Sequence, residues 1–236
     1  MTYNVRRCTG IDGRVSPERV AAVIAAAAPD VVALQEVDVN RKRTNHVDQP
    51  RRLAELTGMK AVFFPRLTDG AEQYGIAVLS KHPMDVVKSD GLPTQYNPPK
   101  KEKAGAIWVR IQFEGKPLHF IATHFDHHRK ERLTHIRSLV GSSWVKDPRC
   151  DGPLVLCGDL NTTHRSDVYT QVRDVLNDAQ ERMGKYQKTW PSFFPLCRID
   201  HIFVSKSVSV ASIVSPRTIQ TRLASDHLPL IADLTF

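Results

Sequence analysis

The chain reads as a layered α/β protein with mixed sheets. Two observations carry that reading. Short apolar runs bounded by Gly, Pro, Asn or Asp recur along the sequence and read as buried strands. Helix start and stop signals separate some of them, whereas residues 60–124 carry strands and a hairpin turn with no helix between. A β-rich middle with hairpins needs antiparallel pairing, so a purely parallel, doubly wound sheet is disfavoured.

The elements follow in order. A first strand begins at residue 2. Ser16-Pro17-Glu18 supplies an N-cap hydroxyl, a proline at the first turn and an early acid, so a helix is predicted from there to 28. Pro29-Asp30 ends it, and the apolar run 31–34 follows as a buried strand with Glu36 at its end. A second helix is predicted over 51–57, stopped by Gly58. Strands are predicted over 61–64, 75–79, 84–88, 106–113 and 118–123, the last two joined by Glu114-Gly115. The proline-rich stretch 92–103 reads as a loop. Helices are expected over 130–145 and 167–176, and strands over 154–157, 199–204, 208–213 and 228–234.

A chain of 236 residues suits one domain with a substantial core. Hydrophobic content of 41% with 25% charged residues indicates a globular chain, and no apolar run reaches the roughly 20 residues of a membrane span. Lys and Arg exceed Asp and Glu by 33 to 25, a net +8 that attracts phosphates and nucleic acid or serves solubility alone. The denser basic patches, 41–43, 100–103 and 129–132, read as solvated faces. The four cysteines match neither a zinc motif nor a disulfide scaffold, and Cys157 reads as a buried thiol. No signal peptide is visible. The default location is cytoplasmic, with a trimmed export signal left open because the first strand starts at residue 2. A monomer is the default assembly.

Five polar clusters carry the chemistry. They are Asn4 in TYNV, Glu36 in LQEVD, Asp159 and Asn161 in CGDLN, Asp200 in RIDHIF, and Asp226 with His227 in SDHLPL. Each follows or interrupts an apolar run, which places a polar group at a strand tip facing a crevice. Gathered at one rim, these acids, the amides and the imidazole would form a hard-cation site beside a general base, as Mg²⁺-dependent phosphate ester cleavage requires. Alone, each cluster has a plainer reading. Glu36 is either solvated past its strand or held by a metal. Asp159 and Asn161 either share one strand face by alternation or close the strand in an Asx turn. Asp226-His227 alone suits a surface turn. Asp200 could accept from the His227 ring and fix its tautomer. In His124-Phe125-Asp126-His127-His128, neighbouring residues of an extended segment do not converge on one ion. His124 is therefore read as a phosphate contact supported by Asp126, with His127 and His128 solvated or capping.

In sequence, TYNV, LQEVD, YGIAVLS, THFD, GDLN, RIDHIFVS and SDHLPL resemble the endonuclease/exonuclease/phosphatase superfamily, also called DNase I-like, over essentially the whole chain. The stretch GIDGRVSPERVAAVIAAAAPDVVALQEVD is similar to the opening of its small bacterial single-domain members. The resemblance implies a four-layer α/β sandwich, with two mixed sheets face to face and helices on the outer faces. It implies Glu36 as principal Mg²⁺ ligand (Mn²⁺ or Ca²⁺ being possible substitutes), with Asn4 and Asp226 close to the metal. It implies Asp159 for the attacking water, Asn161 for the water or phosphate, His227 on the phosphate with Asp200 as its partner, and His124 as a further phosphate contact. Two positions depart from the pattern: Ile76 stands where many relatives have Asn, and Ala104 where many have Arg. Those departures bear on substrate choice.

Three functions compete. A phosphodiesterase or phosphatase on a small or lipid-linked substrate is favoured by the THFD segment. A nuclease is permitted by the +8 charge, but aromatics are only 7%, with no stacking stripe visible. A catalytically silent binding module is disfavoured by the complete acid, amide and histidine set.

Overall fold

Alternation along the strands divides the apolar residues of this computed structural model among three cores. The structure describes residues 1–95, 102–184 and 186–236. Strands β1 (Thr2–Asn4), β2 (Val31–Val39), β4 (Glu72–Ser80) and β3 (Lys60–Asp69) form a four-stranded sheet in the order β1-β2-β4-β3. Strands β5 (Met84–Gly91), β6 (Gly105–Phe113), β7 (Lys116–His124), β8 (Leu154–Asp159), β10 (Asp200–Val204) and β9 (Asn177–Asp178) form a six-stranded sheet in that order. Both sheets are mixed: β1–β2 and β7–β8 pair in parallel, and the other ladders are antiparallel.

The inner faces meet in one core. Val31 and Ala33, Ile107, Val109 and Ile111, and Val155 and Cys157 all contribute to it. Their neighbours of opposite parity point outward. Val32 and Leu34 pack under helices α1 (Pro17–Ala27) and α2 (Gln49–Thr57) through Val20, Ile24 and Leu53. Trp108, Leu154 and Leu156 pack under α3 (Arg129–Leu139) and α4 (Asp167–Arg173) through Ile136, Leu139 and Val172. Helix, sheet, sheet and helix make the four layers of the sandwich. A two-stranded ribbon, β11 (Ser209–Val214) with β12 (Ile231–Thr235), adds Ile213 and Leu234 to the inner core.

Local signals place most elements. Ser16 caps α1 by accepting from Arg19 N, and Gly58 ends α2 in a left-handed conformation. Glu114 and Gly115 form a two-residue turn with φ of 48° and 82°, both left-handed as a tight hairpin requires. Elsewhere the boundaries move. Strand β2 runs five residues past the predicted 34, to Val39. Helix α3 stops at Leu139 rather than 145, because the chain turns so that Trp144 is buried in the core. The last strand starts at Ile231 rather than 228, Leu230 instead bridging to Thr2. Two short helices, α5 (Ala179–Arg182) and α6 (Ile219–Ala224), give too little periodicity to be seen in the sequence. The predicted loop 92–103 and the basic patch 100–103 lie partly outside the described residues. Among the described residues, no helix is long and apolar enough to cross a membrane.

Candidate active site

One transverse row of the six-stranded sheet assembles half of the site. His124 at the end of β7 is the register partner of Asp159 at the end of β8, which in turn opposes Asp200 at the start of β10. Partners directly across a ladder share a face. Two residues further along their strands lie Ala122, Cys157 and Ile202, all members of the inter-sheet core. The three polar side chains therefore point between the sheets at one open end. Gly158 permits this close pairing. Its φ is 150°, and a Cβ there would stand 2.0 Å from Thr123 O.

The four-stranded sheet supplies the opposite wall. Thr2 and Asn4 alternate with the outward Tyr3, so Asn4 faces inward from the tip of β1. Glu36 reaches the same space through a β-bulge. The β2–β4 register slips between Gln35 and Val37, and Glu36 takes a φ of 58°. A bulge inserts an unpaired residue and re-aims its side chain. Glu36 thus lies within its strand and not beyond its end, contrary to the expectation from the apolar run. Asn4 Nδ2 donates to Glu36 Oε1 at 3.0 Å and to Asp159 Oδ2 at 3.0 Å. The two carboxylates are therefore within about 6 Å of each other, one from each sheet.

The turn before Leu228 brings the imidazole. Ser225 Oγ donates to Asn4 O at 2.7 Å and accepts from His227 N at 3.2 Å, fastening the turn to β1. His227 Nδ1 stands 2.9 Å from Asp200 Oδ2, and its Nε2 stands 3.8 Å from Asp159 Oδ2. Thr189 donates its hydroxyl to the same Asp200 oxygen. Asp226 is partly exposed, with Oδ2 3.8 Å from Arg6 Nε.

Asn161 completes the set by a route other than alternation. The chain leaves β8 at Asp159 in an Asx turn, with Asn161 N donating to Asp159 Oδ1 at 2.8 Å and Asn161 at φ 49°. Asn161 Nδ2 then donates to Phe125 O at 2.8 Å and lies 3.3 Å from His124 Nε2. Among the described residues no hydrogen bond joins Asp126 to His124; Asp126 Oδ1 accepts from His128 N. The support comes from Arg66, whose Nη1 is 2.6 Å from His124 Nδ1. A guanidinium only donates, so Nδ1 carries the lone pair and Nε2 the hydrogen, and the Asn161 Nδ2 contact at 3.3 Å from Nε2 is not a hydrogen bond.

Charges in this space are strongly perturbed. Burial, with the nearby Asp200 carboxylate, lifts Asp159 to about 7. Burial works to lower His227, but Asp200, Asp159 and Asp226 together outweigh it and raise the imidazole to about 10. Burial, reinforced by the Arg66 cation, holds His124 well below the ordinary histidine value. One imidazolium and one neutral imidazole thus flank Asp159. A cavity of 470 Å³ opens over the group, lined by Arg6, Arg7, Glu36, His127, Asp159, Asn161, Trp190, Cys197, Ile199, Asp226 and His227.

Residues 1–227 match the family model for the Endonuclease/Exonuclease/phosphatase family. The chain belongs to this family. The uncharacterized protein YbhP of Escherichia coli K12 is 23% identical over 249 residues, covering 99% of this chain and 94% of that one. The crystal structure of an endonuclease/exonuclease/phosphatase from Bacteroides vulgatus is 25% identical with a TM-score of 0.79, covering 99% of this chain and 97% of that one. A mannosyl-6-phosphatase of Bacteroides thetaiotaomicron shares the fold at 22% identity and a TM-score of 0.78, covering 100% and 98% of the two chains. Family membership makes this chain a phosphoric ester hydrolase.

The donor set fits a divalent cation. Glu36, Asp159 and Asp226 offer hard carboxylate oxygens on one cavity. Asp159, Asp200 and His227 also converge, with ligand atoms within 4.8 Å of one another. In that second group, Asp200 is already engaged with His227 and Thr189, which leaves the Glu36 side as the better seat for an ion. Ile76 and Ala104, the two departures from the family pattern, are both buried in apolar cores and line no part of the cavity. Arg66, Ser225, Thr189, Trp190 and the arginine pair 6–7 were not singled out from the sequence. His127, expected to be solvated or capping, is exposed and also borders the cavity.

Proposed function

We propose that this protein is a Mg²⁺-dependent hydrolase of phosphate esters, acting as a phosphodiesterase or phosphatase on a small or lipid-linked substrate. The observation that carries the reading is the Asn4 amide, which touches Glu36 and Asp159 together and so joins a cation seat to a proton acceptor in one cavity. Glu36 would hold the ion, with Asp226 and Asn4 beside it. When bound, Mg²⁺ neutralises phosphoryl oxygen charge, a role Mn²⁺ or Ca²⁺ can share in part.

The protein's own groups do the rest. Asp159 orients the attacking water and takes its proton; cationic charge placed at Glu36 would favour its carboxylate form. His227, kept cationic by Asp200, faces the cavity with Nε2–H and stabilises charge that develops on the phosphoryl group. His124 offers Nε2–H from the other side, and Asn161 positions the oxygen between them. The mannosyl-6-phosphatase neighbour supports phosphatase chemistry on this fold.

A nuclease is the second reading. Arg6, Arg7 and Trp190 on the cavity wall favour it, and exposed Phe193 and Phe194 beside Trp190 supply aromatic surface that the sequence had not suggested. A substrate panel with Mg²⁺ and with EDTA tests the proposal, using bis-(p-nitrophenyl) phosphate, sphingomyelin, inositol phosphates and plasmid. EDTA-sensitive turnover of an ester other than plasmid is expected. Plasmid cleavage alone would put the nuclease first, and EDTA-resistant turnover would contradict the metal-assisted reading.

A further inference from the structure

The two arginines of the cavity lining lie outside the set of acids, amides and histidines that acts on the phosphate. Arg6 and Arg7 line the same cavity as Glu36 and Asp226. They stand on a 3₁₀ turn in which Arg6, Arg7 and Cys8 have φ of 45°, 59° and 53°. Three successive left-handed L residues are unfavourable unless the surroundings impose them. Here the surroundings do. Asn4 Oδ1 accepts from Arg6 N at 3.1 Å, and Gln49 Nε2 donates to Arg7 O at 2.6 Å. Gln49 is itself fully buried, with Oε1 taking Asp38 N at 2.9 Å. The backbone beneath the two arginines is thus tied to the metal-side residue Asn4 and to the end of β2.

Their side chains are half-buried and poorly paired. Arg6 Nε is 3.8 Å from Asp226 Oδ2, longer than a charge-assisted hydrogen bond. Among the described residues, the Arg7 guanidinium makes no hydrogen bond or ion pair. Nearby arginines are treated differently. Arg43 donates twice to Asp38, and Arg66 reaches His124, Lys103 O and Glu102. The reacting phosphate already has His227, His124 and Asn161 around it. Two guanidinium forks lining the same cavity suit an additional anion.

We propose that Arg6 and Arg7 form a subsite for a second phosphate of the substrate, so that the enzyme prefers phosphate esters bearing another phosphate group. The inference rests on the phosphate-ester reading. The second phosphate could sit on a nucleotide or on a sugar, and the test separates these sources.

Thymidine 5′-(p-nitrophenyl phosphate) is compared with the same ester carrying a 3′-phosphate, by nitrophenolate release. In parallel, glucose 1-phosphate and glucose 1,6-bisphosphate are compared as inhibitors of bis-(p-nitrophenyl) phosphate hydrolysis. Wild-type protein should favour the doubly phosphorylated member about tenfold or more, mainly through KM or Ki. Arg7→Gln should remove most of that preference, Arg6→Gln part of it, and Arg7→Lys should retain some. Loss of preference in both pairs supports a subsite that reads charge alone; loss confined to the nucleotide pair supports one that reads a nucleotide. Absence of preference in wild type, or a preference unchanged in Arg6→Gln and Arg7→Gln, overturns the subsite. If no ester is hydrolysed at all, the function proposed above fails. Calorimetry of thymidine 3′,5′-bisphosphate against thymidine 5′-phosphate still decides the subsite, and equal affinities reject it.

Discussion

Asn4 and Asp159 are 155 residues apart and belong to different sheets, yet the Asn4 amide donates to the Asp159 carboxylate at 3.0 Å. The same nitrogen serves Glu36, so one side chain spaces the two acids. Asn4→Ala would remove the donor that Glu36 and Asp159 share and leave the buried Asp159 Oδ2 without it. Turnover should fall at least tenfold, and stability should drop by about 1–3 kcal/mol, the cost of unsatisfied buried groups. Steady-state kinetics and urea unfolding check this; unchanged values in both would show that the bridge is dispensable.

Arg66 fixes the hydrogen of His124 on Nε2, facing the site. Imidazole ¹⁵N shifts should therefore report an unprotonated Nδ1 and a protonated Nε2 at pH 7. In Arg66→Ala that preference should disappear. A wild-type spectrum with the hydrogen on Nδ1 would contradict the assignment.

Acidification should destabilise the metal-free protein. Burial depresses His201 to about 3 and His135 to about 4, and holds His124 well below its ordinary value. The stability tied to these depressed groups is present above the unfolded value near 6.5 and is lost as pH falls toward their folded values. Asp159, raised to about 7, acts oppositely, because the native state holds its proton where the unfolded chain does not. His227, raised to about 10, is protonated in both states below pH 6 and gives little slope there. His119 and His164 are lowered in the same direction, so five histidines favour proton uptake on unfolding against Asp159 alone. Stability should therefore fall as pH drops from 7 to 5. Denaturant midpoints measured from pH 7 to 5 check the slope; a flat or rising profile on acidification would contradict it.

Gly158→Ala should be severe for a reason confined to the site. The added Cβ would meet Thr123 O at 2.0 Å, and the φ of 150° suits glycine. A loss exceeding about 2 kcal/mol is expected from overpacking and strain. Differential scanning calorimetry reads it, and a melting temperature within a degree or two of wild type would show that the two strands can part.

Much of this architecture is legible in the sequence because alternation and caps are local. Asp159 and Asp200 were placed at strand ends by the apolar runs beside them, and the ladder brings those ends into one row. Glu36 was harder. The apolar run stops at Leu34, while the bulge that turns Glu36 inward is set by pairing with β4, some 40 residues away. For Asn161 the sequence left strand alternation and an Asx turn both open; the chain leaves the strand, and the Asx turn brings it in. Arg66 gave no local sign: it reads as one more strand arginine, and its partner lies 58 residues on. Arg6 and Arg7 adjoin Asn4 in sequence, yet only the left-handed turn shows that they face the cavity.

The most direct test is the Mg²⁺-supported kcat of Asp159→Asn on whichever ester the wild-type enzyme turns over, with folding verified in the same preparation. Loss of the proton acceptor should lower kcat by on the order of 10²-fold or more. A folded variant turning over near the wild-type rate would show that Asp159 does not handle the water, and that the convergence of Glu36, Asp159 and His227 is not the catalytic centre.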